Sequence, residues 1–162
     1  MSDTQSTDVA GEATNPANRF ALTVGWFMQH CGTLELLVNG AIRAFGTDKI
    51  LSSAASKAPL KRRIEILGER LHMRSDLASG AIDALCDDLN VTRQRRNDVA
   101  HNPVARSEPD MSAEAYVLVV QYERDGTVKT KELTRETIAR FQSESKKLLV
   151  RFGELVPEAR ST

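Results

Sequence analysis

Net charge is the first thing this sequence lacks. Its 22 Lys and Arg are matched by 22 Asp and Glu in 162 residues, so no global field draws it onto nucleic acid or a membrane, and any basic site must be local. It also lacks an apolar run near the roughly 20 residues that span a bilayer. Residues 1–18 carry acids and polar groups where a signal peptide needs a basic start and an apolar middle, so a cytoplasmic protein is expected. Cysteine is scarce: Cys31 and Cys86 stand alone, without the spacings of a zinc site or a disulfide framework, and read as small core residues. Aromatics make up only 5%, and Trp26, Tyr116 and Tyr122 are too scattered to form a base-stacking platform. No repeat of 20 to 50 residues is present.

What remains is ordinary globular chemistry, 41% hydrophobic and 27% charged, in a chain long enough to bury roughly 70% of its unfolded surface. Residues 1–18 have hardly an apolar side chain to offset their ordering entropy and are expected to be a disordered tail. From Phe20 the pattern changes. Phe20, Val24, Phe27, Cys31, Leu34, Val38, Ala41 and Phe45 alternate steps of four and three, one stripe down a helix of about seven turns that Gly46 stops. A second helix is expected from Pro59, with Leu60, Ile64, Leu67 and Leu71 on one face. Ser75 can cap a third, whose line Ala78, Ile82, Leu85, Leu89, Thr92, Arg96, Val99 must end near His101, because Pro103 biases Asn102 away from helical geometry.

Residues 115–133 are rich in β-branched and aromatic side chains on both sides of Asp125-Gly126, a pair suited to a type I′ turn, and read as a hairpin. Thr134 then caps a last helix with Ile138, Phe141, Ser145, Leu148, Phe152 and Leu155 on its apolar face, ended by Pro157. The expected fold class is all-α: a small bundle of four to five helices with one β-hairpin inserted before the last. The domain spans residues 19–157, with a short tail at 158–162.

The third helix holds the most informative stretch, RQRRNDVAHNP. Arg96 occupies a position that its neighbours fill with Ile, Leu, Thr and Val, so a cation is built into a face that should be buried, which is costly unless something pairs with it. Asn97 lies one turn before His101 on the same side of the helix, and Arg96 reaches the same end. An imidazole titrating near neutral pH and a guanidinium able to grip a phosphate with two hydrogen bonds are the parts of a metal-independent phosphodiesterase. The same residues admit a plainer reading, in which the arginine pairs with a carboxylate or snorkels and the histidine complements the helix dipole.

Arg96-Asn97-Asp98-Val99-Ala100-His101 resembles the signature of the HEPN superfamily: an arginine, a polar residue directly after it, and a histidine four to six positions from the arginine near a helix end. The Asn at the second place and the Ala-His-Asn-Pro ending strengthen the likeness. HEPN domains are small all-α bundles in which a long early helix pairs with the motif helix, and the hairpin departs from that plan. The resemblance implies an RNA endonuclease, often a toxin or antiviral effector, acting as a homodimer with the motifs of both subunits in one cleft. It also implies a possible protein antitoxin of nucleotidyltransferase type, and no cofactor or metal. On this chain, His101 would move the proton of the attacking 2′-hydroxyl, Arg96 would stabilise the phosphate charge, and Asn97 would orient one or the other.

Lesser candidates surround the motif. Glu35 lies beside the apolar stripe of the first helix, where it either supports the motif by pairing with Arg96 or is simply an exposed acid. Arg93 and Arg95 are candidate RNA-binding residues; Lys61, Arg62 and Arg63 fit a solvated face better than a phosphate-binding one. His30 and His72 have no motif around them and read as structural or exposed. The alternative function is a catalytically inactive HEPN-like module for dimerisation or for binding RNA or protein. A homodimer is expected on either reading, because the long first-helix stripe and an arginine on an apolar line both suit a subunit seam.

Overall fold

A computed structural model describes residues 16–46, 49–101, 104–105, 115–122 and 128–160. Among the described residues five α-helices form the bundle: α1 (Pro16–Ala44), α2 (Lys49–Ser56), α3 (Leu60–His72), α4 (Ser79–His101) and α5 (Arg135–Leu155). Between α4 and α5 lie three antiparallel strands, β1 (Val104–Ala105), β2 (Ala115–Tyr122) and β3 (Val128–Thr134), in the order β1-β2-β3. The expected helical bundle with an inserted hairpin is therefore the architecture found.

The α1 stripe is used inside the single chain. Leu34, Val38, Ala41 and Ile42 join Ile64, Leu67 and Leu71 of α3, Ile82, Leu85 and Leu89 of α4, and Leu148 and Phe152 of α5 in the larger core cluster. Earlier on α1, Phe20, Phe27 and Cys31 meet Val99, Leu133, Ile138 and Phe141 in a second cluster, where the rings of Phe27 and Phe141 lie 5.8 Å apart and tilted by 49°. This corrects one ground for expecting a dimer: the stripe marks the core of one subunit, not a seam between two. Helices α3 and α4 approach closely at Gly68, where a Cβ would sit 3.1 Å from the Cys86 sulfur.

Boundaries follow local chemistry, with four departures from expectation. Helix α1 begins at Pro16, three residues inside the segment read as tail; residues 1–15 lie outside the described ones. The short α2 was not anticipated: at eight residues it is shorter than the span over which spacing alone marks a helix. Pro59 precedes α3 rather than opening its first turn, and its carbonyl accepts from the Arg63 amide at 3.1 Å. Ser75 caps nothing: Arg74 grips both oxygens of Asp76 and also reaches Glu158, which holds this connection as a turn, and α4 starts only at Ser79.

At α5 the expectation holds. The Thr134 hydroxyl accepts from the Thr137 amide at 3.1 Å, satisfying one of the helix's orphan donors. The helix stops at Leu155, before Pro157. Residues Pro157–Arg160 then form a single 3-10 turn with Ala159 buried, so part of the segment read as a C-terminal tail packs on the bundle. Strands β2 and β3 pair from Ala115↔Thr134 to Tyr122↔Val128, with an irregularity between Leu118 and Val120. The Asp125-Gly126 turn lies outside the described residues. Strand β1 adds the pairs Val104↔Leu118 and Ala105↔Val117, and Leu133 anchors the hairpin to the second cluster.

Candidate functional site

The motif occupies the last turns of α4, which ends at His101 as the Asn-Pro sequence requires. Val99 is buried in the second cluster and fixes the rotation of the helix end. Arg96, three residues earlier, is half-buried beside α1. Its Nη1 donates to the Asn97 side-chain oxygen at 3.3 Å, a long bond between sequence neighbours, and among the described residues no carboxylate lies within ion-pair distance of it. The side chain of His101 lies outside the described residues.

The other sequence candidates are placed differently. Glu35 does not pair with Arg96. Its carboxylate accepts from Nη2 of Arg63, whose Nη1 donates to Asn39 at 2.8 Å. Arg63, read as part of a solvated face, is thus a buried core arginine, only 8% exposed. Its neighbour Arg62 does behave as a surface residue and pairs with Glu65 and Glu69 of its own helix. Arg95 is tied to Glu144 of α5 and lies 4.5 Å over the Phe141 ring, so its charge is neutralised and its plane stacked. Arg93 reaches the edge of the same recess as Arg96, and its Nε is buried without a hydrogen-bond partner among the described residues.

That recess is a cavity of about 20 Å³ between α1, α3 and α4, with Cys31, Glu35, Leu89, Thr92, Arg93 and Arg96 among its walls. It has room for about one water and none for a nucleotide, so any polynucleotide contact belongs to the surface where the arginines emerge. Burial pushes the Cys31 thiol up to about 12, against the pull of the nearby Arg96 charge. Cys31 is therefore a protonated core group at neutral pH and not a nucleophile. Cys86 is also raised, mainly by burial.

A larger groove of about 280 Å³ separates α4 from α5. Two ion pairs cross it, Arg95 with Glu144 and Arg151 with Asp88, the latter at 2.7 Å. The sequence analysis missed this groove. Its signal was the seven-residue spacing of Asp88 and Arg95 on α4 and of Glu144 and Arg151 on α5, opposite charges on two facing helices.

His30 contacts the Ser145 hydroxyl at 3.1 Å and the Gln142 carbonyl at 3.3 Å through Nδ1, tying α1 to α5. His72 meets Asp83 at 3.0 Å. His30 ties two helices of the core together and His72 is exposed, within the structural-or-exposed reading of the sequence. Among the described residues no group of three side chains is placed to hold a metal ion, and no helix is long and apolar enough to cross a membrane. No protein-family model, no curated protein and no solved structure matches this chain.

Proposed function

We propose that the protein is a metal-independent RNA endonuclease of the HEPN type, cytoplasmic, with its site completed by a second copy of the chain. One observation carries the reading. Arg96 is held half-buried at the end of α4, and among the described residues only the amide of Asn97 is bonded to its guanidinium, whereas Arg63 and Arg95 are committed to carboxylates, to Glu35 and to Glu144. An arginine with no carboxylate on it among the described residues, five residues before a helix-ending histidine, is available to an anionic ligand. In this reading His101 accepts the proton of the RNA 2′-hydroxyl as its oxygen attacks the adjacent phosphorus. Arg96 stabilises the charge that grows on the non-bridging oxygens, and the P–O5′ bond breaks as the 5′-oxygen takes a proton from water. The products carry a 2′,3′-cyclic phosphate and a 5′-hydroxyl. A nucleotidyltransferase-type antitoxin is the protein partner that goes with such an activity.

The inactive-module reading draws on a specific observation of its own: Arg95 and Glu35, candidates for binding RNA and supporting the motif, both serve the fold. Incubation with total RNA in excess chelator separates the two. Cleavage leaving cyclic phosphate ends is expected, and His101→Ala and Arg96→Ala should each slow it by about a hundredfold or more while keeping the wild-type melting temperature and mass. Dependence on added magnesium overturns the mechanism. Wild-type cleavage by a folded His101→Ala protein overturns the assignment and leaves the module.

A further inference from the structure

The core of α1 lies on one side of the helix, and the opposite side is open. Between Arg19 and Arg43, every exposed residue of α1 is uncharged, over a run of four turns in a chain that is 27% charged. Large apolar side chains stand out of this face: Trp26 is 52% exposed, Leu22 56% and Leu36 70%. Between them are Gly25 and Gly32, and a Cβ built on either would touch nothing within 4 Å. Exposed glycine in a helix interior carries a penalty of roughly 0.5–1 kcal/mol against alanine, and among the described residues no contact explains it.

The positions on this face are spaced symmetrically about Gln29, with the knob at Trp26 mirrored by the gap at Gly32. Leu22 and Leu36 are each seven residues from it, Trp26 and Gly32 each three, Gly25 and Thr33 each four. Two copies of α1 crossing antiparallel about a two-fold axis at Gln29 therefore set Trp26 of each against Gly32 of the other, Leu22 against Leu36, and Gly25 against Thr33. Gln29 meets its own counterpart, where two side-chain amides can exchange hydrogen bonds. A bulky ring faces a missing side chain twice, and no charge is desolvated. We infer that the outer face of α1 is a docking surface for a second copy of this chain, paired antiparallel about Gln29.

The area available agrees with a reversible contact. The exposed parts of the three large side chains offer on the order of 350 Å² per copy, and the positions between them bring the two-copy total to about 1,000 Å², the lower end of what specific association needs. Cys31 and Arg96 lie toward the opposite side of α1, so this contact leaves the two motif helices on the outer sides of the pair. It is separate from the seam that a shared catalytic cleft requires, and does not rest on the ribonuclease reading.

Cross-linking of an introduced cysteine under mild oxidation, with Cys31 and Cys86 replaced by Ala in every protein compared, tests the register. Gln29→Cys should link to itself, because a residue on the two-fold axis is the one position that faces its own copy within disulfide reach, whereas Thr33→Cys and the protein without an introduced cysteine should not. Gly32→Glu should halve the mass seen by light scattering at about 100 µM and leave the melting temperature of the chain at or above wild type, since the monomer has open space at this position. RNA cleavage, if present, should be unchanged by Gly32→Glu, which separates failure here from failure of the proposed activity. A wild-type mass of 17.9 kDa at that concentration overturns the inference. So does an unreduced mass in Gly32→Glu, or cross-linking of Thr33→Cys as fast as Gln29→Cys.

Discussion

Arg63 and Arg96 sit differently on their helices and end in different states. Arg96 interrupts an apolar line, between Thr92 and Val99 on α4, whereas Arg63 lies beside one, next to Ile64 in the line Leu60, Ile64, Leu67 on α3. Around Arg63 the fold supplies a carboxylate and an amide from α1, Glu35 and Asn39, and the guanidinium is closed in. Around Arg96 it supplies a thiol that stays protonated and the amide of the next residue, and the guanidinium stays half open. Position on a helix face thus says that a cation is unusual, not what it is for. The facing helix decides, through whether it offers a compensating anion.

The largest effect that sharpens this contrast is on stability. Arg63→Ala removes the partner of Glu35 and leaves Asn39 unpaired, and should destabilise the protein by about 3 kcal/mol, or roughly 5–10 °C in melting temperature. That figure is below the full loss of a buried pair because the Glu35 side chain remains 35% exposed and water takes up part of its charge. Arg96→Ala should fall within about 1 kcal/mol of wild type. Urea denaturation of both variants checks the pair, and an Arg96 variant as unstable as the Arg63 one would break the comparison.

A smaller effect comes from Cys31, which shares the wall of the small cavity with Arg96. Burial raises its thiol from 9.0 to about 12. Between those values the unfolded chain loses the proton while the folded one keeps it, so the native state binds more protons and stability falls as pH rises above 9. At pH 10 the loss from this group is about 1 kcal/mol. Cys31→Ala lacks it, so the difference in unfolding free energy between wild type and variant should narrow or change sign by that amount from pH 8 to pH 10. Lysines titrate equally in both proteins and cancel.

The bundle was legible because its main helices carry uninterrupted four-and-three spacing and end at residues with a local reason to end: Gly46, the Pro103 signal after His101, Thr134 and Pro157. The start of α4 was not, because Ser75 has the chemistry of a cap but an Arg74–Asp76 grip holds it in a turn. The site was legible as a string, and Arg96, Asn97 and His101 do close one helix. Its surroundings were not. Glu35 was assigned to Arg96 on proximity to the apolar stripe, and the partner it found is Arg63. The test that singled out Arg96 passes over Arg63, because Ile64 already fills the step between Leu60 and Leu67 and Arg63 reads as a residue beside the stripe; only the facing α1, which brings Glu35 and Asn39 onto it, closes it in.

Arg62 supplies the last and smallest test, because it differs from Arg63 by one residue and about 100° of helix rotation. Its guanidinium lies in water between Glu65 and Glu69 of the same helix, at 3.0 and 3.3 Å. Those carboxylates and the hydrogen bond to Glu65 raise its already high pKa, so it is charged at every accessible pH and its contribution is open to screening. An exposed pair loses most of its attraction to solvent and to the entropy of two long side chains. Arg62→Ala should therefore leave the melting temperature unchanged within error, and its small residual effect should vanish in 0.5–1 M salt, roughly where the screening length falls to a few ångströms. The Arg63→Ala deficit should mostly persist in the same salt, since the Arg63 guanidinium is buried even though Glu35 is partly solvated. A deficit in Arg63→Ala that salt removes as readily would show that its pair with Glu35 is open to solvent, and the contrast with Arg96 would then reduce to one of degree.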